Sequence, residues 1–329
     1  MATSTRPADT AHAGPVIVVG AGVIGMTCAY ELARAGHSVT ILADATAQAS
    51  VSAVAGGLWF PYKAKSADGS TDILKRSLDR FHELSEVAGT PVEIREGTFV
   101  VRSADQDTSW ADVAPWHREA RPDELPSGAT RGIRSALPMV DTPRYLVWLE
   151  ARCREIGVKF RDEVVHDIEA TIAVTRAGAV VVAAGLRSAE LLGDDDSAYP
   201  IRGQVLKLRN PGLRDWLLDD ENPAGMTYVL PRIDDVVCGG TSDAGEVDIT
   251  WNTGVEAGIL ERVIAAVPAL EGQEIVGRAI GLRPARPTLR VGLVDGHSVP
   301  VIACYGHGGA GITLSWGSAE RVVELLGAR

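Results

Sequence analysis

The apolar positions of this chain follow two rhythms, a continuous one and a helical one, that replace each other along its length. Val16 to Val19 is a four-residue apolar run closed by Gly20, the pattern of a strand buried on both faces of a parallel sheet. Ile24, Cys28 and Leu32 then recur at helical spacing, and Gly36 falls where a helix C-terminus favours glycine. Val39, Ile41 and Ala43 resume as a second strand, which completes a right-handed βαβ crossover. Leu74, Leu78, Phe81 and Leu84 mark one face of a predicted helix over 72–87, and Leu146, Leu149 and Cys153 one face of another over 145–156. Residues 103–140, rich in Asp, Pro, Ser and Gly, read as loops with short elements. AVVVAAG at 179–185 repeats the pattern of a buried strand ending in glycine. GQVLKL, MTYVLP and VVCGG, between residues 201 and 280, have the look of antiparallel strands. VPVIACY then leads into a glycine cluster and a closing helix with Ala319, Val322, Val323 and Leu326 on its apolar face.

Strands alternating with helices at both ends, and antiparallel-looking strands between, predict an α/β fold. Its Rossmann-like nucleotide domain is assembled from residues 15–62, 148–200 and 283–329. An interleaved α+β domain on a mostly antiparallel sheet takes residues 63–147 and 201–282, and residues 1–14 form a flexible tail. Composition changes this picture little: 329 residues, 46% hydrophobic and 23% charged, are ordinary for a globular protein. The net charge of -11 weighs against nucleic acid or anionic lipid as a partner. Cys28, Cys153, Cys238 and Cys304 have neither zinc spacing nor the density of a disulfide framework, which suggests free thiols in a reducing cytoplasm. The first residues lack the apolar core of a signal peptide, and no apolar run approaches the roughly 18 residues of a membrane span. The expected location is cytoplasmic.

Candidate chemistry enters at two glycine clusters. Gly20-Ala21-Gly22-Val23-Ile24-Gly25 is G-x-G-x-x-G between a strand and a helix. The first glycine allows the tight turn, the second lets backbone approach a pyrophosphate, and the third permits close helix–strand packing. Asp44, ending the second strand, is placed to accept hydrogen bonds from a ribose, although an ordinary surface Asp would look the same. The motif serves FAD and NAD alike. The second cluster, Gly306-His307-Gly308-Gly309-Ala310-Gly311, opens the last helix. Bare backbone and a helix N-terminus there suit the charge of a reduced flavin better than a nicotinamide, with a hairpin linker as the bland alternative.

Gly281-Leu282-Arg283-Pro284-Ala285-Arg286-Pro287 is stiff and extended because of its prolines. Alternation puts Arg283 on one side with Ala285 and Leu289, and Arg286 with Arg290 on the other. An inward arginine needs an anion, either a substrate carboxylate held by two hydrogen bonds or an internal carboxylate.

VVGAGVIG, GGLWFPY, RGQV at 202–205, MTYVLP, GLRPARP and YGHGGAGITLSWG occur in this order over most of the chain. Together they resemble the D-amino acid oxidase family. The resemblance implies a two-domain fold with non-covalent FAD. It places Gly20, Gly22, Val23, Ile24, Gly25, Asp44, Ser50, Ser52, Gly56, Gly57 and Leu58 along the cofactor. Val165 would lie at its adenosine end, and Gly308, Gly309, Gly311, Ile312 and Thr313 at the isoalloxazine ring. Arg283 and Tyr228 would hold the substrate carboxylate, the Gly309 carbonyl the amine, and Leu58, Phe60 and Met226 the side chain. His307 would pack beside the ring rather than act as a base. The implied reaction is hydride transfer from the α-carbon of a D-amino acid, with oxygen as final acceptor and hydrogen peroxide, ammonia and a 2-oxo acid as products. The implied partners are small molecules only, with a homodimer left open and no metal. Two departures stand out: no tyrosine lies between Trp216 and Thr227, where eukaryotic members carry one, and Ala45 and Val51 replace the Arg and Thr of animal members. A D-aspartate oxidase or a glycine or sarcosine oxidase stays open. The former needs a second pocket cation, for which Arg202, Arg214 and Arg232 are candidates. A nicotinamide dehydrogenase and a non-enzymatic flavin-binding regulator are the more distant readings.

Overall fold

The computed structural model describes residues 14–62 and 70–327, so the expected tail over 1–14 lies, apart from Gly14, outside the described residues. The strands in chain order are β1 (Val16–Val19), β2 (Val39–Ala43), β3 (Val92–Val100), β4 (His117–Glu119), β5 (Gly132–Val140), β6 (Lys159–Asp162) and β7 (Ala179–Val182). They continue as β8 (Tyr199–Arg209), β9 (Trp216–Asp219), β10 (Thr227–Pro231), β11 (Asp235–Gly239), β12 (Asp243–Ala244), β13 (Ile275–Val294) and β14 (Val301–His307). The helices are α1 (Val23–Arg34), α2 (Val51–Val54), α3 (Ser70–Ser85), α4 (Thr142–Glu155), α5 (Ile168–Thr175), α6 (Arg187–Leu192), α7 (Thr253–Ala266) and α8 (Gly311–Gly327).

At one end, β6, β2, β1, β7 and β14 run parallel in that order. Strands β1 and β7 are buried at every position, as the continuous apolar runs require. Helices α1 and α8 pack together against this half, with Trp316, Met26 and Leu32 fully buried between the layers. From β14 the sheet continues antiparallel through β13, β8, β11, β10 and β9, and β9 then pairs in parallel with β3. The result is the mixed α/β fold that the alternating pattern predicts.

Strand β13 is the hinge of this architecture. Its first half pairs with β8 and its second with β14, and the register shifts between Ala285 and Arg290. The GLRPARP segment sits at that transfer, where Pro284 faces Pro200, two residues with no N–H to leave unmet.

Residues 103–140 hold more order than their composition predicts. The nine-residue β5 lies there, paired along its length with β3. Its polar residues disguise it: Arg134 is buried but paired with Glu96 and Asp215, and the buried Ser135 hydroxyl donates to the Trp116 carbonyl at 2.7 Å. Helix α7 interrupts the predicted strand region between 201 and 280. Asn252 starts it by accepting from the N–H groups of Gly254 and Val255. No helix among the described residues is long and apolar enough to cross a membrane.

Candidate active site

The β1–α1 turn follows from its glycines. Gly20 has φ +107°, and a Cβ at Gly25 would stand 1.9 Å from the Gly20 carbonyl oxygen, so helix and turn can close only without a side chain there. Helix α1 has no side-chain cap from its N-cap residue, Gly22. Its Val23 N–H donates instead to the Ser52 hydroxyl at 3.1 Å, which brings the segment after β2 against the helix N-terminus.

This turn is one end of a cavity of about 620 Å³. Every residue that the resemblance places along the cofactor or the substrate lines it except Gly25, whose place is in the helix–strand packing beneath. At the β2 end, Asp44 accepts from Arg187 Nη1 at 3.1 Å, and Arg187 Nη2 donates to the Val165 carbonyl at 2.9 Å. Arg187 therefore ties two predicted residues together, and the sequence reading missed it. Its signal was available, since it follows the strand-ending Gly185 as Gly20 is followed by α1. At the opposite end, Gly308–Ala310 form a single 3-10 turn leading into α8. Thr313 is fixed there by a reciprocal pair: its hydroxyl accepts from the Phe60 N–H at 3.0 Å and donates to the Phe60 carbonyl at 2.9 Å. The ring of Phe60 stacks on Phe99 with centroids 5.4 Å apart, which holds GGLWFPY as a wall of the cleft.

Arg283 reaches the same cavity from β13. Its neighbours on that strand are paired, Arg286 Nε with Asp195 at 2.7 Å and Arg290 Nη1 with Asp194 at 2.7 Å. Arg283 has no carboxylate partner among the described residues; its Nη1 donates to the Thr241 carbonyl at 3.1 Å. The guanidinium lies against Gly203 of β8, where a Cβ would come within 2.3 Å of Nη2 and 2.6 Å of Nη1. Tyr228 lies close enough for the charge of Arg283 to act on its hydroxyl. Burial raises the Tyr228 pKa above the ordinary phenol value, and the arginine charge offsets part of the rise.

Tyr62, another residue missed in the sequence reading, stands in this group although GGLWFPY contains it. Its ring packs where a Cβ on Gly309 would lie, 2.6 Å from Cδ1. Its pKa is raised by burial, with opposing effects from a hydrogen bond with Ser242 and from the charge of Arg283. A phenol thus stands beside Arg283 even though the stretch between Trp216 and Thr227 supplies none.

The other candidate cations lie elsewhere. Arg202 is buried and donates to the Asp248 and Thr250 carbonyls at 2.6 and 2.9 Å. Arg232 is buried and bound by Asp235 at 2.7 and 2.9 Å, and Arg214 is largely exposed near Glu93. His307 is buried with Nε2 3.0 Å from the Ser318 hydroxyl, as expected of a packing residue. A second chamber adjoins the cleft through Phe60, Tyr62, Asp220 and Met226, and Asp107, Glu221 and Arg262 help to line it.

Two helix N-termini opening on one cleft suit a dinucleotide, and a guanidinium in it without a carboxylate partner among the described residues suits an acid. That is the layout of a cofactor-dependent oxidoreductase. Residues 15–325 match the family described as FAD dependent oxidoreductase, and the chain belongs to that family. It is 37% identical over 314 residues to a D-amino-acid oxidase of Rubrobacter xylanophilus, covering 95% of both chains. It is 35% identical to a D-amino-acid oxidase of Streptomyces coelicolor, covering 96% of this chain and 98% of the other. In fold it is similar to glycine oxidase from Geobacillus kaustophilus, with a TM-score of 0.79 at 22% identity over 95% of this chain and 94% of that one.

FAD is accordingly the cofactor, and the residues present fit it. The turn closes only because Gly25 carries no Cβ, Gly22 brings no side chain to the α1 N-terminus, and the cavity falls within the roughly 300–1,000 Å³ of ligand clefts.

Proposed function

We propose that this chain catalyses the oxidative deamination of D-amino acids. The observation that carries the reading is Arg283, a guanidinium with no carboxylate partner among the described residues, set beside Tyr228 in the cleft that the Gly308–Ala310 turn closes. When bound, FAD supplies the hydride acceptor for the substrate Cα–H and passes the electrons to oxygen, giving hydrogen peroxide, while the imine product hydrolyses to a 2-oxo acid and ammonia.

The protein's part is orientation. Arg283 and Tyr228 hold the substrate carboxylate, the Gly309 carbonyl accepts from the amine, and Leu58, Phe60 and Met226 receive the side chain. Three fixed points define a hand, so one enantiomer alone turns its α-hydrogen toward the ring end of the cleft. The amine must be uncharged for its lone pair to assist, and no side chain is assigned as a base. His307 keeps its packing role. The first glycine turn, Asp44, Ser50, Ser52, Gly56, Gly57 and Val165 line the length of the cofactor. In the same reading, residues 15–62, 148–200 and 283–329 form the FAD half, and 63–147 with 201–282 the substrate half.

A D-aspartate oxidase would need a second cation, and Arg202, Arg214 and Arg232 all lie outside the cleft. The test is anaerobic mixing of the purified yellow protein with paired D- and L-amino acids. Bleaching of flavin absorbance by the D-forms alone is expected, and bleaching by neither form of any amino acid overturns the reading. Arg283→Ala isolates the anchor. Losing one partner of a desolvated charge pair costs about 2–5 kcal/mol, roughly 30- to several-thousand-fold. The variant should stay folded and yellow, with kcat/KM for D-alanine reduced by that factor.

A further inference from the structure

Cys28 of α1 and Cys304 of β14, 276 residues apart in sequence, meet in the core with their Sγ atoms 3.8 Å apart. Both side chains are fully buried, and of the two only Cys304 lines the cofactor cleft. The mechanism uses neither. We propose that Cys28 and Cys304 form a peroxide-oxidisable dithiol that closes to a disulfide between the nucleotide helix and the strand leading to the second glycine turn.

The roles of the two sulfurs follow from their surroundings. The Cys28 thiol donates to Cys304, and that contact, with the neighbouring His307 adding to it, lowers the Cys304 pKa below the ordinary thiol value, so its thiolate is the favoured one. Cys28, as the donor, is shifted the opposite way. Cys153 and Cys238 provide an internal contrast. The Cys153 thiol donates to the Met26 carbonyl at 3.4 Å rather than to a thiol, and burial pushes both Cys153 and Cys238 up to about 12, where the nucleophilic form is scarce.

The chemistry balances with hydrogen peroxide as the oxidant. The Cys304 thiolate attacks one peroxide oxygen; an S–O bond forms, the O–O bond breaks, and the departing hydroxide takes up a proton as water. The Cys28 sulfur then attacks the Cys304 sulfur; the S–S bond forms, the S–O bond breaks, and the second hydroxide leaves as water with the Cys28 proton. Two thiols are oxidised to one disulfide and one peroxide is reduced to two waters. The sulfurs must approach from 3.8 Å to about 2.05 Å for the bond to form. Peroxide arising within the cleft rests on the proposed oxidase activity. The reactivity of the pair does not, since added peroxide serves equally.

The experiment is thiol counting on the FAD-loaded, full-length protein exposed to graded hydrogen peroxide and then denatured. All four cysteines are free at the outset. The expected result is loss of two thiols, a mass lower by two hydrogens, a Cys28–Cys304 linked peptide, and full recovery with a dithiol reductant. Cys304→Ser should keep its remaining thiols under the same exposure, whereas Cys28→Ser should yield a sulfenic acid at Cys304 that a dimedone-type probe traps. Four surviving thiols, or oxidation of Cys153 and Cys238 at the same rate, would overturn the proposal. A second arm replaces added peroxide by turnover of D-alanine with and without catalase. Linking by added peroxide but not by turnover refutes the source of the oxidant and leaves the dithiol standing.

Discussion

At the scale of single residues, the candidate site was legible wherever a side chain announced its chemistry and obscure wherever the requirement was for a missing atom. Arg283 could be singled out because prolines fix its strand and alternation gives it a face, and the structure sets it apart from the paired Arg286 and Arg290. Gly203 lies in RGQV, but nothing along the chain says that a guanidinium from another strand rests on it. Only the β8–β13 register, which sets Gly203 opposite Gly281, brings Arg283 across it. Gly203→Ala should therefore displace Arg283, the proposed anchor, without touching the first glycine turn. A misplacement of about 1 Å costs on the order of 10²-fold, so flavin content should be unchanged while kcat/KM for D-alanine drops by about that factor. The pocket hydroxyls carry a pH prediction as well. Burial raises the pKa of both Tyr228 and Tyr62, so neither phenol ionises before an ordinary tyrosine does, near 10. A pH profile of KM should accordingly show no loss of substrate affinity assignable to a phenol below about pH 10. A phenolic transition nearer neutrality, absent in Tyr228→Phe and Tyr62→Phe, would contradict this.

At the scale of elements, the sequence was most informative where burial is complete and periodicity uninterrupted. β1, α1 and β2 emerged because most inward positions are apolar, Thr27, Glu31 and Thr40 apart, and the glycines fall at the joints. β5 stayed hidden because its buried polar residues are satisfied only by partners far along the chain, Glu96 and Asp215 for Arg134 and Trp116 for Ser135. α7 stayed hidden because only Ile259 and Val263 of its apolar residues are buried, too narrow a stripe to establish a period, although the capping Asn252 was in view. The joint between β1 and α1 allows a direct test. A methyl group at Gly25 meets backbone at 1.9 Å, and backbone cannot rotate aside as a side chain can. Gly25→Ala should cost about 1–3 kcal/mol of stability, lowering Tm and releasing FAD during purification. Gly36→Ala, with nothing within 4 Å of the added Cβ but φ +97°, should lower Tm by a smaller step and keep the flavin.

At the scale of the whole molecule, charge bears on which amino acids the cleft accepts. The chain carries a net charge of -11, and the chamber adjoining the cleft repeats that sign locally, with Asp107, Asp220 and Glu221 on its walls against Arg262. Asp220 borders both spaces. Burial raises its pKa, the Gln106 amide donates to it at 2.7 Å, and the neighbouring Glu221 and Asp219 add like charge. A substrate held at its α-carboxylate by Arg283 would bring a side-chain carboxylate into a field where carboxylates outnumber the arginine, and like-charge juxtaposition costs several kcal/mol. D-Aspartate and D-glutamate should therefore be turned over with kcat/KM at least about 10-fold below D-alanine or D-methionine, since 1.4 kcal/mol already suffices for that ratio. Asp220→Asn removes the carboxylate that borders both spaces while keeping the side chain's size and a hydrogen bond with Gln106. It should narrow the gap by raising kcat/KM for the acidic substrates and leave D-alanine nearly unchanged. If D-aspartate proves the better substrate of the unaltered protein, then Arg262, the one cation on the chamber wall among the described residues, must reach the side chain in spite of the surrounding carboxylates, and the preference for neutral substrates is wrong.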